Sequence, residues 1–204
     1  PELKPLRKSL KRGNIMCGMF NMSESAEKKL KKLAKSFSAD IPRYHTGIMR
    51  PAGSVPLLAG KELLFSVAEW GIRMTGKKIV INARSESAGT SFFFRNAVNN
   101  RCVTACASFF EKDGKGEKYE YFSPEKDIML LGGILQPDVS PAFALLTREA
   151  TSTKNIHRRV PSVISEKELY DFLNGMPFEE ISEKTFIVNK QKSPEMTIFD
   201  IIEN

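Results

Sequence analysis

"RCVTACASFFEKDGKGEKYEYF", residues 101–122, decides the fold class. After its opening arginine, the run 101–110 is apolar or small almost throughout, which predicts a buried strand. "KDGKG" at 112–116 has the Asp-Gly chemistry of a hairpin loop, and "KYEYF" from 118 supplies the returning strand. Short strand-like runs of the same kind lie on both sides. They are "VPLLA" from 55, "LLFSVAEW" from 63, "KIVIN" from 78, "IMLLGGIL" from 128, "AFALLT" from 142 and "TFIVN" from 185.

Helical signals are few. Residues 23–37 offer Ser23 as an N-cap, acids in the first turn and an apolar stripe of Ala26, Leu30, Leu33, Ala34 and Phe37. A second helix is marked by Ser165 and Glu168 as a capping box, with Gly175 and Pro177 as its stop. Between the first helix and the first strand, "ADIPRYHTGIMRPAGSVP" predicts a long ordered loop. Many strands and few helices predict an α+β domain on a barrel-like, curled, mostly antiparallel sheet with flanking helices.

A length of 204 residues suits one domain with a full core, expected over 16–204, behind a basic arm at 1–15. No apolar run approaches the roughly 20 residues of a membrane span, so no membrane partner is expected. The arm is basic but lacks the apolar stretch of a secretory signal. Three cysteines, Cys17, Cys102 and Cys106, form no disulfide framework, and a cytoplasmic location is expected, with nucleoid association in a bacterium. With two histidines and no CxxC, neither a metal nor another cofactor is expected. The formal net charge of +7 suits a polyanion such as nucleic acid, although a solvated helix face and a basic tail would give the same surplus.

Candidate chemistry begins at "NIMCGMF", residues 14–20. Were Cys17 the N-terminal residue, it would carry a thiol and an α-amine on adjacent carbons. The amine, with an ordinary pKa of about 7.7–8.0, could serve as base for its own thiol or condense with an aldehyde. An internal Cys17 would be a structural thiol. "VINARSES" at 80–87 places Asn82 and Arg84 at a strand end, alternating with apolar residues. "CASFFEK" at 106–112 sets Glu111 behind two phenylalanines, a setting that fits a carboxyl group for proton transfer. "NIHRRVP" at 155–161 puts His157 beside Arg158 and Arg159.

In this order, "MCGMF", "INARSES", "SFFEK", "IHRRVP" and "SEKELYDFL" resemble the SOS response-associated peptidase (SRAP) family, over about residues 16–190. "RPAGSVPLL" at 50–58 is similar to that family's proline loop and "EWGI" at 69–72 to its Trp-Gly. The resemblance implies a monomer that senses abasic sites in single-stranded DNA and crosslinks to them. It also implies an enzyme, a thiol (auto)peptidase with lyase-like crosslinking activity: Cys17, exposed once the preceding residues are removed by (auto)proteolysis, would hold the opened sugar as a thiazolidine. Asn82 would hold the amine and the sugar, Glu111 would shuttle protons and His157 would assist ring opening. Arg84, Arg158, Arg159 and Pro51 would line the DNA path, with Trp70 as a stacking surface. Departures fall at Met19, where the family carries arginine, and at Lys112, where it carries tryptophan; Ser87 and Val160 are milder exchanges.

Three rival readings stand beside this one. The opening "MCGMF" is also similar to class II glutamine amidotransferases, but their Arg-Gly-Pro and Asn-Gly-Glu stretches are missing from the sequence. A single-stranded DNA binder that never crosslinks is the second. A peptidase acting on other proteins is the third.

Overall fold

The computed structural model of the chain describes residues 18–74, 78–138 and 140–191. It begins with β1 (Met19–Met22), α1 (Glu24–Leu33), β2 (Ser36–Phe37), β3 (Gly47–Met49), β4 (Ser54–Ala59) and β5 (Leu64–Trp70). Then follow β6 (Ile72–Arg73), β7 (Ile79–Val80), β8 (Asn82–Arg84), α2 (Ser85–Ala88), a 3-10 turn at Phe92–Phe94 and β9 (Arg101–Cys106). β10 (Ser108–Lys112), β11 (Lys118–Phe122), β12 (Met129–Gln136) and β13 (Ala142–Glu149) form the middle of the fold. The described chain closes with β14 (Arg159–Pro161), β15 (Val163–Ile164), α3 (Leu169–Leu173), a 3-10 turn at Phe178–Glu180 and β16 (Ile187–Lys190).

The mixed α+β class holds, but the expected barrel-like curled sheet does not. Among the described residues the strands divide among three sheets. A five-stranded sheet has the order β16-β11-β10-β1-β3, and β6 and β7 pair by themselves. The nine-stranded sheet has the order β14-β13-β12-β9-β4-β5-β2, with β15 on β12 and β8 on β13. Its pairings are mostly antiparallel, with β2–β5, β8–β13 and a short β5–β13 pairing parallel.

The physical reason lies at Ala107. The run 101–110, expected as one strand, is two. β9 is buried along its whole length between β12 and β4 in the larger sheet. At Ala107 the backbone N–H donates instead to the carbonyl of Asn21 at 2.8 Å, and β10 continues between β1 and β11 in the smaller sheet. One continuous stretch thus belongs to both sheets. The β10–β11 hairpin closes as its Asp-Gly sequence predicts: Asp113 Oδ1 accepts the N–H groups of Lys115 and Glu117, and Gly116 takes a φ of 87°.

α1 starts where its cap predicts, with the Ser23 hydroxyl accepting the Ala26 N–H, and it buries Ala26 and Leu30. It ends earlier than its apolar stripe suggests. The Lys35 N–H donates to Leu63, and β2 then pairs with β5, so backbone bonding to the sheet replaces further helical turns. Phe37 consequently stands 54% exposed on β2 rather than on the buried helix face. At the other capping box, the Ser165 backbone N–H donates to the Glu168 carboxylate, and the Glu168 N–H donates to the Ser165 hydroxyl. The core runs through Phe20, Trp70, Phe143, Phe109 and Tyr121, all buried. Gly133 lets β12 lie close to its neighbours, since a Cβ there would meet the Ala144 carbonyl and the Cys102 sulfur at 3.0 Å.

Candidate functional site

Glu111 lies near the end of β10, opposite Tyr119 of β11, and is only 3% exposed. It ends the buried stretch 108–111 of β10, whereas Lys112 beyond it is already exposed. His157 comes from the loop joining β13 to β14 and is 6% exposed. That loop is fixed by backbone bonds: Ile156 and His157 N–H both donate to Thr153, and Ala150 N–H donates to Arg158.

The two side chains meet across the two sheets, His157 Nδ1 lying 3.7 Å from Glu111 Oε2. This spacing is too long for a hydrogen bond and makes an ion pair only when the imidazole is protonated. Nδ1 has a closer partner in the Arg159 carbonyl, at 2.8 Å. With its proton donated there, Nδ1 is not an acceptor for the Arg159 N–H 3.3 Å away, and Nε2 carries the lone pair in the neutral ring.

Asn82 and Arg84 stand on β8 beside β13, opposite Leu145 and Thr147. Ala83 between them is buried, Asn82 is half-buried and Arg84 is exposed. β14 flanks the other edge of β13, with Pro161 opposite Thr147 and Arg159 opposite Glu149. The strand carrying Asn82 and the loop carrying His157 are therefore one strand apart.

Cys17 lies outside the described residues. Its covalent neighbour Gly18 leads into β1, whose Met19 and Phe20 pair with Phe110 and Phe109 of β10. Continued by one residue, this antiparallel register sets position 18 against Glu111. The described chain therefore enters at the strand end that carries the carboxylate.

Two expected DNA contacts are corrected by their surroundings. Trp70 offers no stacking surface: it is 0% exposed, with Phe20 at 5.1 Å and Phe143 at 6.5 Å between ring centroids. Its Nε1–H donates to the Ile81 carbonyl at 2.9 Å, so Trp70 braces the backbone immediately before Asn82. Arg159 is already engaged. It donates to the Thr147 hydroxyl at 3.2 Å, to the Thr147 carbonyl and to Glu86 Oε2 at 2.7 Å. Burial disfavours the Glu86 charge, yet the Arg159 guanidinium holds its carboxyl below the ordinary carboxylate value. Arg159 thus ties β14 to β13 and α2. Arg158 next to it is exposed, and Pro51 is half-buried in the turn between β3 and β4.

Sequence reasoning missed Thr147 and Glu86, the partners of Arg159. A polar residue ending the apolar run "AFALLT" was the available signal for the first, and Thr147 is indeed fully buried. The Glu86 pairing spans 73 residues and has no local signature.

Among the described residues no cluster of three or more His, Cys, Asp or Glu could hold a metal ion, and no helix is long and apolar enough to cross a membrane. Cys102 and Cys106 are free and buried, and burial pushes both thiols far above the ordinary value.

The family model described as SOS response associated peptidase (SRAP) matches residues 16–203. A crystal structure of a protein from Bordetella bronchiseptica is similar, with a TM-score of 0.69 and 18% identity, over 87% of this chain and 100% of that one. One from Bacteroides thetaiotaomicron has a TM-score of 0.69 and 17% identity, over 86% of this chain and 92% of that one. At such identities the likeness is one of fold. No curated protein matches the chain.

Proposed function

Because the chain belongs to the SOS response associated peptidase (SRAP) family, we propose that it captures abasic sites in single-stranded DNA as a covalent adduct through Cys17. The observation that carries this reading is the buried Glu111–His157 pair, 3.7 Å apart, at the strand end where Gly18 enters β1.

The chemistry requires Cys17 at a free N-terminus, so hydrolysis of the Met16–Cys17 peptide bond comes first. The opened abasic sugar presents an aldehyde. The Cys17 amine adds to it and water leaves, giving an imine. The thiol sulfur then adds to the imine carbon, its proton passes to the nitrogen, and a five-membered thiazolidine closes without oxidation or reduction. Glu111 is assigned the proton transfers that expel water, and His157 the transfers that open the sugar ring. Asn82, half-buried on β8, is assigned the positioning of the amine and sugar. Arg84 and Arg158, both exposed, are assigned to DNA phosphates.

The test is adduct formation between protein beginning at Cys17 and an oligonucleotide containing one abasic site, read on a denaturing gel. A denaturation-resistant band is expected from the wild type and none from Cys17→Ala. Glu111→Gln should slow the reaction by about 10²–10⁴-fold, the usual scale for loss of an acid–base group. Equal yield from Cys17→Ala would overturn the mechanism. Binding of DNA by wild type with no adduct would leave a binder that does not crosslink.

A further inference from the structure

The loss of Trp70 as a surface leaves open which ring, if any, receives a base. In the segment after α2, "TSFFFRN" at 90–96, three phenylalanines have three different fates. Phe94 is buried, and Phe93 packs partly buried against it, edge-on at 4.9 Å. Phe92 is 81% exposed, the most exposed large apolar side chain among the described residues. A lone exposed apolar residue is ordinary. Phe92 differs because the Arg95 guanidinium carbon lies 3.8 Å from its ring centroid, so one face carries a stacked positive charge. With 81% of the residue exposed, the opposite face is open to solvent.

The segment is also held in place. Thr90 and Ser91 N–H donate to Ser87 and Ala88, and Phe94 N–H donates to Ser91. Ala88, Phe94 and Ala97 anchor it in the core, which fixes Phe92 and Arg95 on the outer side of the turn. Seven residues lie between Arg84 and Phe92, four of them the helical turn of α2. The Phe92 backbone is thus within about 20 Å of the end of β8, a span that a few nucleotides of single strand cover.

We propose that Phe92, backed by Arg95, is a stacking platform for an unpaired base of single-stranded DNA flanking the abasic site. The open ring face takes the base, without sequence preference, because every base has a π-face. The guanidinium on the other face lies where the adjoining phosphate would need neutralising. Duplex DNA, with its bases already stacked, gains nothing from the ring, so the platform favours single strands. This inference rests on the DNA reading above.

Fluorescence anisotropy with a labelled oligothymidylate lacking any abasic site tests the platform apart from the covalent chemistry. Phe92→Ala should weaken binding by about 5- to 100-fold, with an unchanged salt slope, and Phe92→Tyr should retain affinity. Arg95→Ala should lower the salt slope by about one counterion. Since Trp70, the only tryptophan, is buried, Phe92→Trp adds one exposed fluorophore whose emission a stacked base should quench. Wild-type affinity in Phe92→Ala, or Phe92→Trp emission unmoved by saturating oligonucleotide, would overturn the platform alone. Failure of the wild type to bind any single strand would overturn the platform together with the DNA reading.

Discussion

At the residue scale, the burial of Cys102 and Cys106 has a direct chemical consequence. Both lie on β9 at 1% exposure or less, and burial raises both thiols well above the ordinary value. Neither is a thiolate at neutral pH, so neither competes with Cys17 as a nucleophile. Iodoacetamide at pH 7.5 followed by mass spectrometry should therefore modify neither residue in the folded protein, and both after denaturation. Labelling of Cys102 or Cys106 under native conditions would contradict that assignment. Single residues were unevenly legible in the sequence. Glu111 was singled out for its apolar neighbours in sequence, and its side chain is buried. Trp70 was misjudged because a Trp-Gly pair says nothing of what packs on the ring, and Phe20 and Phe143 come from distant parts of the chain.

At the element scale, the Ser165–Glu168 box ahead of α3 ties more than its own turn. Besides Ser165, the Glu168 carboxylate accepts the Ser182 N–H at 2.8 Å and the Lys184 ammonium at 3.2 Å. Burial works against its charge, but the hydrogen bonds from Ser165 and Ser182 prevail and hold the carboxyl at about 2. A carboxyl held lower in the folded than in the unfolded chain stabilises the fold fully above the unfolded value. That contribution is lost as pH falls from about 4.5, the ordinary value, toward about 2. Thermal melts should show Glu168→Gln less stable than wild type by about 1–2 kcal/mol at pH 7. The difference should shrink as pH falls through that window. A constant difference between pH 7 and pH 2.5 would show that the charge is not what matters. Elements whose signals are local, such as the start of α1 and the Asp-Gly hairpin, were readable from sequence; α3 begins at Leu169, later than its Ser165 cap suggests. The end of α1 was not, because the competitor that stops it is strand β5, which begins only at Leu64.

At the scale of the whole molecule, Glu111 and His157 belong to different structural bodies. Glu111 is held by the smaller sheet, and His157 by a loop of the larger one. No local pattern reveals this pairing, which depends on how the two sheets seat against each other; only the family resemblance set the two residues in one site. The edge of the smaller sheet at β16 is short and mostly exposed, so it is less protected than the buried strands β9 and β12 of the larger sheet. In urea below the main unfolding transition, hydrogen exchange should accelerate in β10, β11 and β16 before β9 and β12. The rate of adduct formation should fall over the same range. Uniform protection of both sheets up to the main transition would show that they open only together.

The crossing at Ala107 also fixes a phase. Side chains alternate faces with every residue along a strand, and each residue advances it by about 3.3 Å. Since β9 is locked between β12 and β4, the count of residues from Cys106 to Glu111 determines which way the carboxylate points. One residue added at 107 would turn Glu111 toward the opposite face of the smaller sheet. Two would restore its direction but carry it about 6.6 Å past His157. Chain length at this joint is thus as tightly constrained as the identity of the carboxylate itself.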